Sequence, residues 1–392
     1  MREQLVTIRF DEIGLKGKNR PLFEKRLADN IARALHIDAS RVKRERGRIY
    51  VYPEREDERL LRRLEQVFGV KTFSPGVRVP VAVEAMEAEA IELARKEVDG
   101  GAKTFKVDAR RALKSFPLDS MDINAHLGRR VLEAFPELSV DVHQPDFKLQ
   151  VEVRPSGIFL STRTYQGPGG VPVGMSGRAL LLLSGGIDSP VAGWMLMKRG
   201  LAIDAVYFHS PPYTGERAKE KVLELARVLA RWKGDQVKVY VPYFTEIQVQ
   251  TAQHVPSPLW TIIHRRFMHR IAERIAEADG FNALATGESI GQVASQTVQN
   301  LQCIDRAVRI LVLRPLTGFD KVEIVNLAKR IGTYEISIQP YEDCCTLFAP
   351  KNPKTKARLD HVESAESQLP ADRLIAEAFE RMEVITVNAE DG

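Results

Sequence analysis

Six consecutive residues, Ser184-Gly185-Gly186-Ile187-Asp188-Ser189, bring together small hydroxyls, two glycines and a carboxylate. Glycines let backbone N–H groups approach an anion, and a helix start adds the positive end of its dipole. Leu180 to Leu183 come before the loop and read as a buried strand. Pro190 follows it, and Val191 to Lys198 read as a helix. Strand, glycine-rich loop and helix start, in that order, suit a phosphate or pyrophosphate. No Lys followed by Ser or Thr closes the loop, so it is not a Walker A loop. G-x-G-x-x-G is absent as well, which excludes the dinucleotide fingerprint. The plainer reading is a strand-to-helix turn capped by Asp188 or Ser189.

A second group of reactive residues is the adjacent pair Cys344 and Cys345, in Gln339-Pro340-Tyr341-Glu342-Asp343-Cys344-Cys345-Thr346. Adjacent cysteines lack zinc-ligand spacing and have no His beside them, so no protein-held metal is expected. A disulfide between neighbours is strained. A thiol in a polar loop can act as a nucleophile or carry a persulfide; a structural role is the alternative. Cys303, among Leu301, Gln302 and Ile304, reads as core.

Both groups need a scaffold. From Leu180 onward strands and helices alternate. Strands are read at Ala202–Phe208, Val237–Val241, Ala283–Thr286 and Ile310–Leu313, with helices at Glu216–Trp232, Pro258–Ala278 and Lys321–Ile331. Such alternation implies an α/β fold with a doubly wound parallel sheet, and ligands bind beyond the carboxyl ends of its strands. Attention therefore falls on Phe208-His209 after the second strand and on Gly287 with Gln296 after the fourth. His209 reads as a local packing residue or as a wall of the site. Gly287 permits close approach of a nucleotide, or marks a turn capped by Ser289. On helix 258–278 the stripe Trp260, Ile263, Phe267, Ile271 and Ile275 faces the core, leaving Arg265 to reach a phosphate or to be solvated. Lys321 opens a helix, where a cation is unfavourable; a bound anion would explain it.

The front half is α+β. Strand Leu5–Phe10, a helix from Pro21, strand Ile49–Tyr52 and helix Leu60–Val67 fill residues 1–75. Helix Val83–Val98, strand Lys103–Ala109, helix Asn124–Phe135 and strands Phe147–Val153 and Ile158–Thr164 fill 76–165. A weak boundary is read at Ser74-Pro75-Gly76. Residues 166–177, rich in Gly and Pro, read as a linker ahead of 178–392.

The net charge of +5 lies entirely ahead of the phosphate loop: residues 1–177 hold 31 Lys+Arg and 26 Asp+Glu, and residues 178–392 hold 26 of each. Such a front half suits a polyanion. Lys16, Lys18 and Arg20 interleave with glycine; Arg110, Arg111 and Lys114 follow a strand; Arg129 and Arg130 lie on a helix. Aromatics are sparse among them, so backbone reading of folded RNA is expected rather than base stacking; solvated charged faces are the alternative. No apolar run is long enough to cross a membrane, and the charged start is no signal peptide. Three cysteines make no disulfide framework, so a cytoplasmic home is expected.

Ser-Gly-Gly-Ile-Asp-Ser resembles the PP-loop of ATP pyrophosphatases, which split ATP between its α- and β-phosphates. That resemblance implies that Ser184, Gly185, Gly186 and Ser189 hold pyrophosphate, with Asp188 near Mg²⁺ or the loop backbone. Over residues 1–350 the chain is similar to the tRNA 4-thiouridine synthetase (ThiI) family. An N-terminal ferredoxin-like domain is suggested by Ile13-Gly14-Leu15-Lys16-Gly17-Lys18-Asn19-Arg20-Pro21-Leu22-Phe23. A THUMP RNA-binding domain is suggested by Thr104-Phe105-Lys106-Val107 with Arg110-Arg111, and by Asp141-Val142 through Pro145. The likeness implies nucleotide contacts at Leu182, Leu183 and Ser184, at Phe208 and His209, at Arg265 or its neighbour Arg266, and at Gly287 and Gln296. It implies ATP and Mg²⁺, tRNA as substrate, a cysteine desulfurase as persulfide donor, and a homodimer. A sulfur-carrier protein of thiamine biosynthesis is a further possible partner. Cys344 or Cys345 would resolve or relay sulfur. Longer members append a rhodanese-like domain with its own cysteine; the 47 residues after Cys345 contain none. The rivals are another PP-loop tRNA-modifying ligase and a non-catalytic tRNA-binding protein.

Overall fold

The computed structural model describes residues 2–45, 47–54, 57–341, 350 and 352–389. The chain divides into two compact units, Met1–Gly170 and Val171–Gly392, so the division falls inside the Gly/Pro-rich stretch.

The first unit runs β1 (Glu3–Arg9), α1 (Arg20–Leu35), β2 (Val42–Glu45), β3 (Arg48–Val51), α2 (Glu58–Leu64), β4 (Thr72–Val79), α3 (Val83–Asp99), β5 (Thr104–Arg111), α4 (Ser120–Ala134), β6 (Ser139–Val140), β7 (Phe147–Arg154), β8 (Gly157–Ser161) and β9 (Tyr165–Gln166). All nine strands join one sheet in the order β2-β3-β1-β4-β8-β7-β5-β6, with β9 beside β4. Local signals set these elements. Pro21 opens α1, whose Leu27, Ile31 and Leu35 point into the core. Asp119 and Asp122 form a capping box at α4.

Ser74-Pro75-Gly76 is not a turn; it lies within β4. On one side β4 pairs with β1 throughout. On the other it pairs with β9 at Thr72 and Phe73, then with β8 from Val77. Pro75 thus falls between the two neighbours, where a missing N–H costs no ladder bond. A Cβ on Gly76 would stand 2.2 Å from the Leu160 carbonyl oxygen, so only glycine fits this crossing. Phe73 packs in one core and Val77 and Val79 in the other, making β4 the seam. On the opposite face Glu152 of β7 pairs with Arg9, Arg48 and Arg154 at 3.1–3.2 Å. Tyr50 stacks on Phe159 at 4.4 Å, although β3 and β8 are not neighbours, so the sheet curls strongly.

The second unit is the doubly wound α/β fold. Its strands are β10 (Arg178–Leu182), β11 (Ala202–Val206), β12 (Gln236–Val241), β13 (Ala283–Ala285), β14 (Leu311–Leu313) and β15 (Glu383–Asn388). Its sheet order is β14-β13-β10-β11-β12-β15. The first five strands are parallel; β15, unread in the sequence, adds an antiparallel edge on β12. The chain steps from β10 through β11 to β12 on one side, then returns to build β13 and β14 on the other. The order therefore reverses between β10 and β13. Helices α5 (Asp188–Lys198), α6 (Glu216–Lys233), α7 (Thr245–His254), α8 (Trp260–Asp279), α9 (Val298–Asp305) and α10 (Lys321–Ile331) intervene. Ile263, Phe267, Ile271 and Ile275 of α8 are buried as the stripe requires, and Trp260 packs at its edge.

Candidate active site

A cavity of about 240 Å³ opens at the carboxyl ends of β10, β11 and β13, at the reversal point of the sheet. The end of β10 supplies Leu182, Leu183 and Ser184, and the start of α5 supplies Asp188 and Ser189. Tyr207 and Phe208 follow β11; Thr286, Gly287 and Glu288 follow β13; Gln296 comes from the loop before α9. Helix α8 contributes Arg265, Met268 and His269, which share one face by their spacing of three and four.

The loop is held from within. Ser184 N–H donates to Ser189 Oγ at 2.9 Å and Gly186 N–H to Ser184 Oγ at 3.2 Å. The Ser337 hydroxyl donates to the Gly186 carbonyl at 3.2 Å. Ile187 gives α5 no side-chain cap, so its first N–H groups are left for a ligand. Asp188 accepts from Lys321 Nζ at 2.6 Å and from Gln292 Nε2 at 2.8 Å. That ion pair gives the lysine at the start of α10 a carboxylate partner on the loop.

Behind the cavity lies a buried ionic cluster. Glu288 receives Arg265 on Oε1, and on Oε2 both Arg314 at 2.5 Å and the Thr286 hydroxyl at 2.9 Å. Arg314 also reaches Asp305. Burial alone would raise the Glu288 carboxyl, but Arg265 and Arg314 outweigh it and hold the group at about 2. The stabilisation this provides is present above the unfolded glutamate value of about 4.3 and is lost as pH falls from there through about 2. Thermal melts of wild type and Glu288→Gln should therefore differ most above pH 5 and converge toward pH 2. At neutral pH the variant should lose about 3–5 kcal/mol, since two arginines are left without their carboxylate.

Nine of the residues singled out in the sequence line this cavity: Leu182, Leu183, Ser184, Asp188, Ser189, Phe208, Arg265, Gly287 and Gln296. Gly185 and Gly186 sit on the loop without forming the wall, and Lys321 touches the site through Asp188. His209 is buried behind the wall, its backbone carbonyl accepting from Phe244 N–H, and burial lowers its imidazole from the ordinary value. Arg265 and Arg266 separate cleanly. Arg265 faces the cavity; Arg266 is buried against Glu366 at 2.7 Å and the Cys303 carbonyl. Gly287 lines the site, yet its missing side chain is required by backbone. A Cβ there would stand 2.6 Å from Ser189 N and 2.7 Å from Ser189 Cα. Tyr207, Met268, His269, Thr286 and Glu288 were not assigned from the sequence, although the 265/268/269 spacing was available.

Cys344 and Cys345 lie outside the described residues. Cys303 is in the core as expected, and burial pushes its thiol up. The basic residues of the first unit divide by their partners. Lys18, Arg110, Lys114 and Arg129 are exposed. Arg20 pairs with Glu24, Arg130 pairs with Glu87 and Glu133, Arg111 donates to the Lys114 and Phe116 carbonyls, and Lys16 sits over Phe23. Among the described residues no cluster of three metal-ligating side chains occurs, and no helix is long and apolar enough to cross a membrane.

Three family models match in succession: the ThiI ferredoxin-like domain over residues 5–74, the THUMP domain over 81–163, and "Thiamine biosynthesis protein (ThiI)" over 174–370. The chain is 48% identical to a "Probable tRNA sulfurtransferase" of Coxiella burnetii, over 98% of this chain and 99% of that protein. A protein of the same name from Moorella thermoacetica is 48% identical over 98% of each. Among solved structures, a 4-thiouridine synthetase–RNA complex with bound ATP superposes with a TM-score of 0.92 at 44% identity, covering 98% of this chain and all of that one. Three family models in chain order and relatives that match nearly the whole chain agree with the two α+β modules and the parallel-sheet unit, and the chain belongs to the ThiI family of tRNA sulfurtransferases.

Proposed function

We propose that the chain is an ATP-dependent tRNA sulfurtransferase that makes 4-thiouridine at position 8 of tRNA. The observation that carries the reading is the cavity itself, which gathers Ser184, Asp188, Ser189, Arg265, Gly287 and Gln296 from four separated segments. In this reaction the uracil O4 attacks the α-phosphorus of ATP. The bond to the β-phosphate's bridging oxygen breaks, and pyrophosphate leaves. The C4–O bond now carries AMP, a far better leaving group than oxide. The outer persulfide sulfur attacks C4 and expels AMP; a second cysteine thiolate then attacks the carrier sulfur, the S–S bond breaks, 4-thiouridine is released and the two cysteines end as a disulfide that an added thiol reductant reopens.

In the proposed assignment the loop from Ser184 to Ser189 and the first N–H groups of α5 hold the pyrophosphate. Leu182, Leu183 and Phe208 supply apolar wall for the adenosine. Glu288 is saturated by its arginines, so Asp188 is the carboxylate left to meet Mg²⁺ carried on the phosphates. Lys321, already on Asp188, would pass to the phosphates. Cys344 and Cys345 carry or resolve the persulfide supplied by a cysteine desulfurase. A sulfur-carrier protein of thiamine synthesis is a second acceptor for the same persulfide sulfur. Residues 1–75 and 76–165, as ferredoxin-like and THUMP domains, bind the tRNA, with Lys18, Arg110, Lys114 and Arg129 as exposed phosphate contacts. A homodimer in the cytoplasm lets one copy hold the tRNA end while the other acts on uridine 8.

The test is nucleoside mass spectrometry of tRNA after reaction with ATP, Mg²⁺, cysteine and a desulfurase, alongside pyrophosphate release. 4-Thiouridine should form, and Asp188→Asn should slow tRNA-dependent pyrophosphate release by about 100-fold, the scale of losing a charge on the transferring phosphates. Undiminished release by the variant, or tRNA without new sulfur, would refute the assignment.

A further inference from the structure

Among the described residues Arg265 is the one arginine or lysine on the cavity wall, and its side chain is 22% exposed. One N–H, on Nη1, goes to Glu288 Oε1. Its remaining N–H donors meet no protein acceptor among the described residues. A guanidinium carries five such donors, so most of this fork is open to an anion in the cavity.

What holds Arg265 in this pose is a residue outside the wall. Arg314 directly follows β14, and its Nε donates to Glu288 Oε2 at 2.5 Å. Its Nη1 and Nη2 donate to the two oxygens of Asp305, at the end of α9, at 3.0 and 2.5 Å. The root of the side chain is fixed by the sheet: beside it Thr286 N–H donates to the Leu313 carbonyl at 3.0 Å, and the Arg314 carbonyl accepts from the Thr317 hydroxyl at 2.8 Å. The Thr286 hydroxyl takes the same Glu288 oxygen as Arg314, at 2.9 Å.

An arginine and a carboxylate left to themselves prefer a fork of two parallel N–H···O bonds. If Glu288 Oε2 were vacant, Arg265 could turn a second N–H onto it, and donors now open to the cavity would be spent on Glu288. Arg314 occupies that oxygen, and Asp305 keeps Arg314 from swinging away. We propose that Arg314 is a positioning residue of the nucleotide site: it denies Glu288 a second bond to Arg265, so that Arg265 stays turned to the phosphates of ATP. This rests on reading the cavity as the ATP site.

The experiment is steady-state kinetics of pyrophosphate release by the full chain, with tRNA, cysteine and a desulfurase present and ATP varied. Arg265→Met should raise the KM for ATP about 30-fold, and Arg314→Met about tenfold with kcat held within about threefold. The double variant should stay at about 30-fold, where independent sites would multiply to about 300-fold. Arg314→Lys keeps a cation for Oε2 and should return KM to within about threefold of wild type. Loss of folded protein lowers kcat and leaves KM, so a merely structural role does not imitate this pattern. Should Arg314→Met not fold, Asp305→Asn at its half-exposed position loosens the same guanidinium and should raise KM about threefold, again only while Arg265 is present. An unchanged KM in whichever of these variants folds, multiplying losses in the double variant, or a lysine as poor as methionine overturns the inference. An unchanged KM in Arg265→Met takes Arg265 off the phosphates and ends the inference while the loop's reading stands. Absence of pyrophosphate release by wild type sinks the nucleotide reading itself.

Discussion

Gly287→Ala should weaken ATP binding by about 100-fold while the chain stays folded, because the methyl group has nowhere to go except into the phosphate loop. Its Cβ would stand 2.6 Å from Ser189 N, 2.7 Å from Ser189 Cα and 2.8 Å from the Asp188 carbonyl carbon. All three are main-chain atoms of the first turn of α5, so no side chain can swing aside. The backbone at 287 is not in the left-handed region, and alanine is conformationally permitted there. The effect is therefore purely steric. Relief requires the start of α5 to move by most of an ångström from β13, and the loop from Ser184 to Ser189 moves with it. Overpacking of this kind costs about 1–3 kcal/mol, which a domain of this size survives. The same displacement at a site built on fixed N–H positions is far more damaging to binding. Gly318→Ala is the control: it follows β14, no atom lies within 4 Å of its added Cβ, and its φ is not positive. Equilibrium dialysis against ATP with parallel thermal melts decides the matter. Wild-type affinity in Gly287→Ala would show that the loop is not the ATP site or that α5 is free to shift.

What the sequence disclosed about this site was what local chemistry dictates. Leu180 to Leu183 ran into a polar glycine loop because a buried strand must end where an anion is to be held at its tip. Strand ends at Phe208 and Gly287 followed from the parallel-sheet rule. What the sequence left open is decided by distant chain. Arg265 and Arg266 are neighbours on α8, and partners distant in the chain separate them: Glu288 for Arg265, and Glu366 with the Cys303 carbonyl for Arg266. Gly287 looked like room for a ligand, yet the room is occupied by the backbone at 188 and 189, which no local pattern reveals. Pro75-Gly76 carries a turn's composition but sits in β4, because a proline is harmless exactly where two neighbouring strands leave a gap. The edge strand β15, with Val384, Ile385, Thr386 and Val387, had the composition of a strand, but its antiparallel pairing with β12, about 150 residues back, breaks the strand–helix alternation that located the others.

Changing Cys344 and Cys345 together to serine should abolish 4-thiouridine formation while leaving tRNA-dependent pyrophosphate release near wild type. The two halves of the reaction use different atoms. Adenylation needs the phosphate loop, Asp188 and a uracil oxygen; none of these is a thiol. Sulfur transfer needs an electron pair on sulfur at C4 and then a way to cut the bond between the arriving sulfur and its carrier. Cys303 cannot substitute. It is 3% exposed in the core, its thiol bonds the Ala357 carbonyl at 3.6 Å, and burial holds it in the unreactive protonated form. The chain has no fourth cysteine. The single variants then divide the roles: the resolving cysteine, once lost, should still permit one turnover's worth of mixed disulfide, and the carrier, once lost, should permit none. Pyrophosphate release and thiolated nucleoside are measured on the same reactions, so a misfolded variant loses both and is recognised. Full thiolation by the double variant would remove sulfur chemistry from this cysteine pair and leave the desulfurase to deliver directly to the adenylated base.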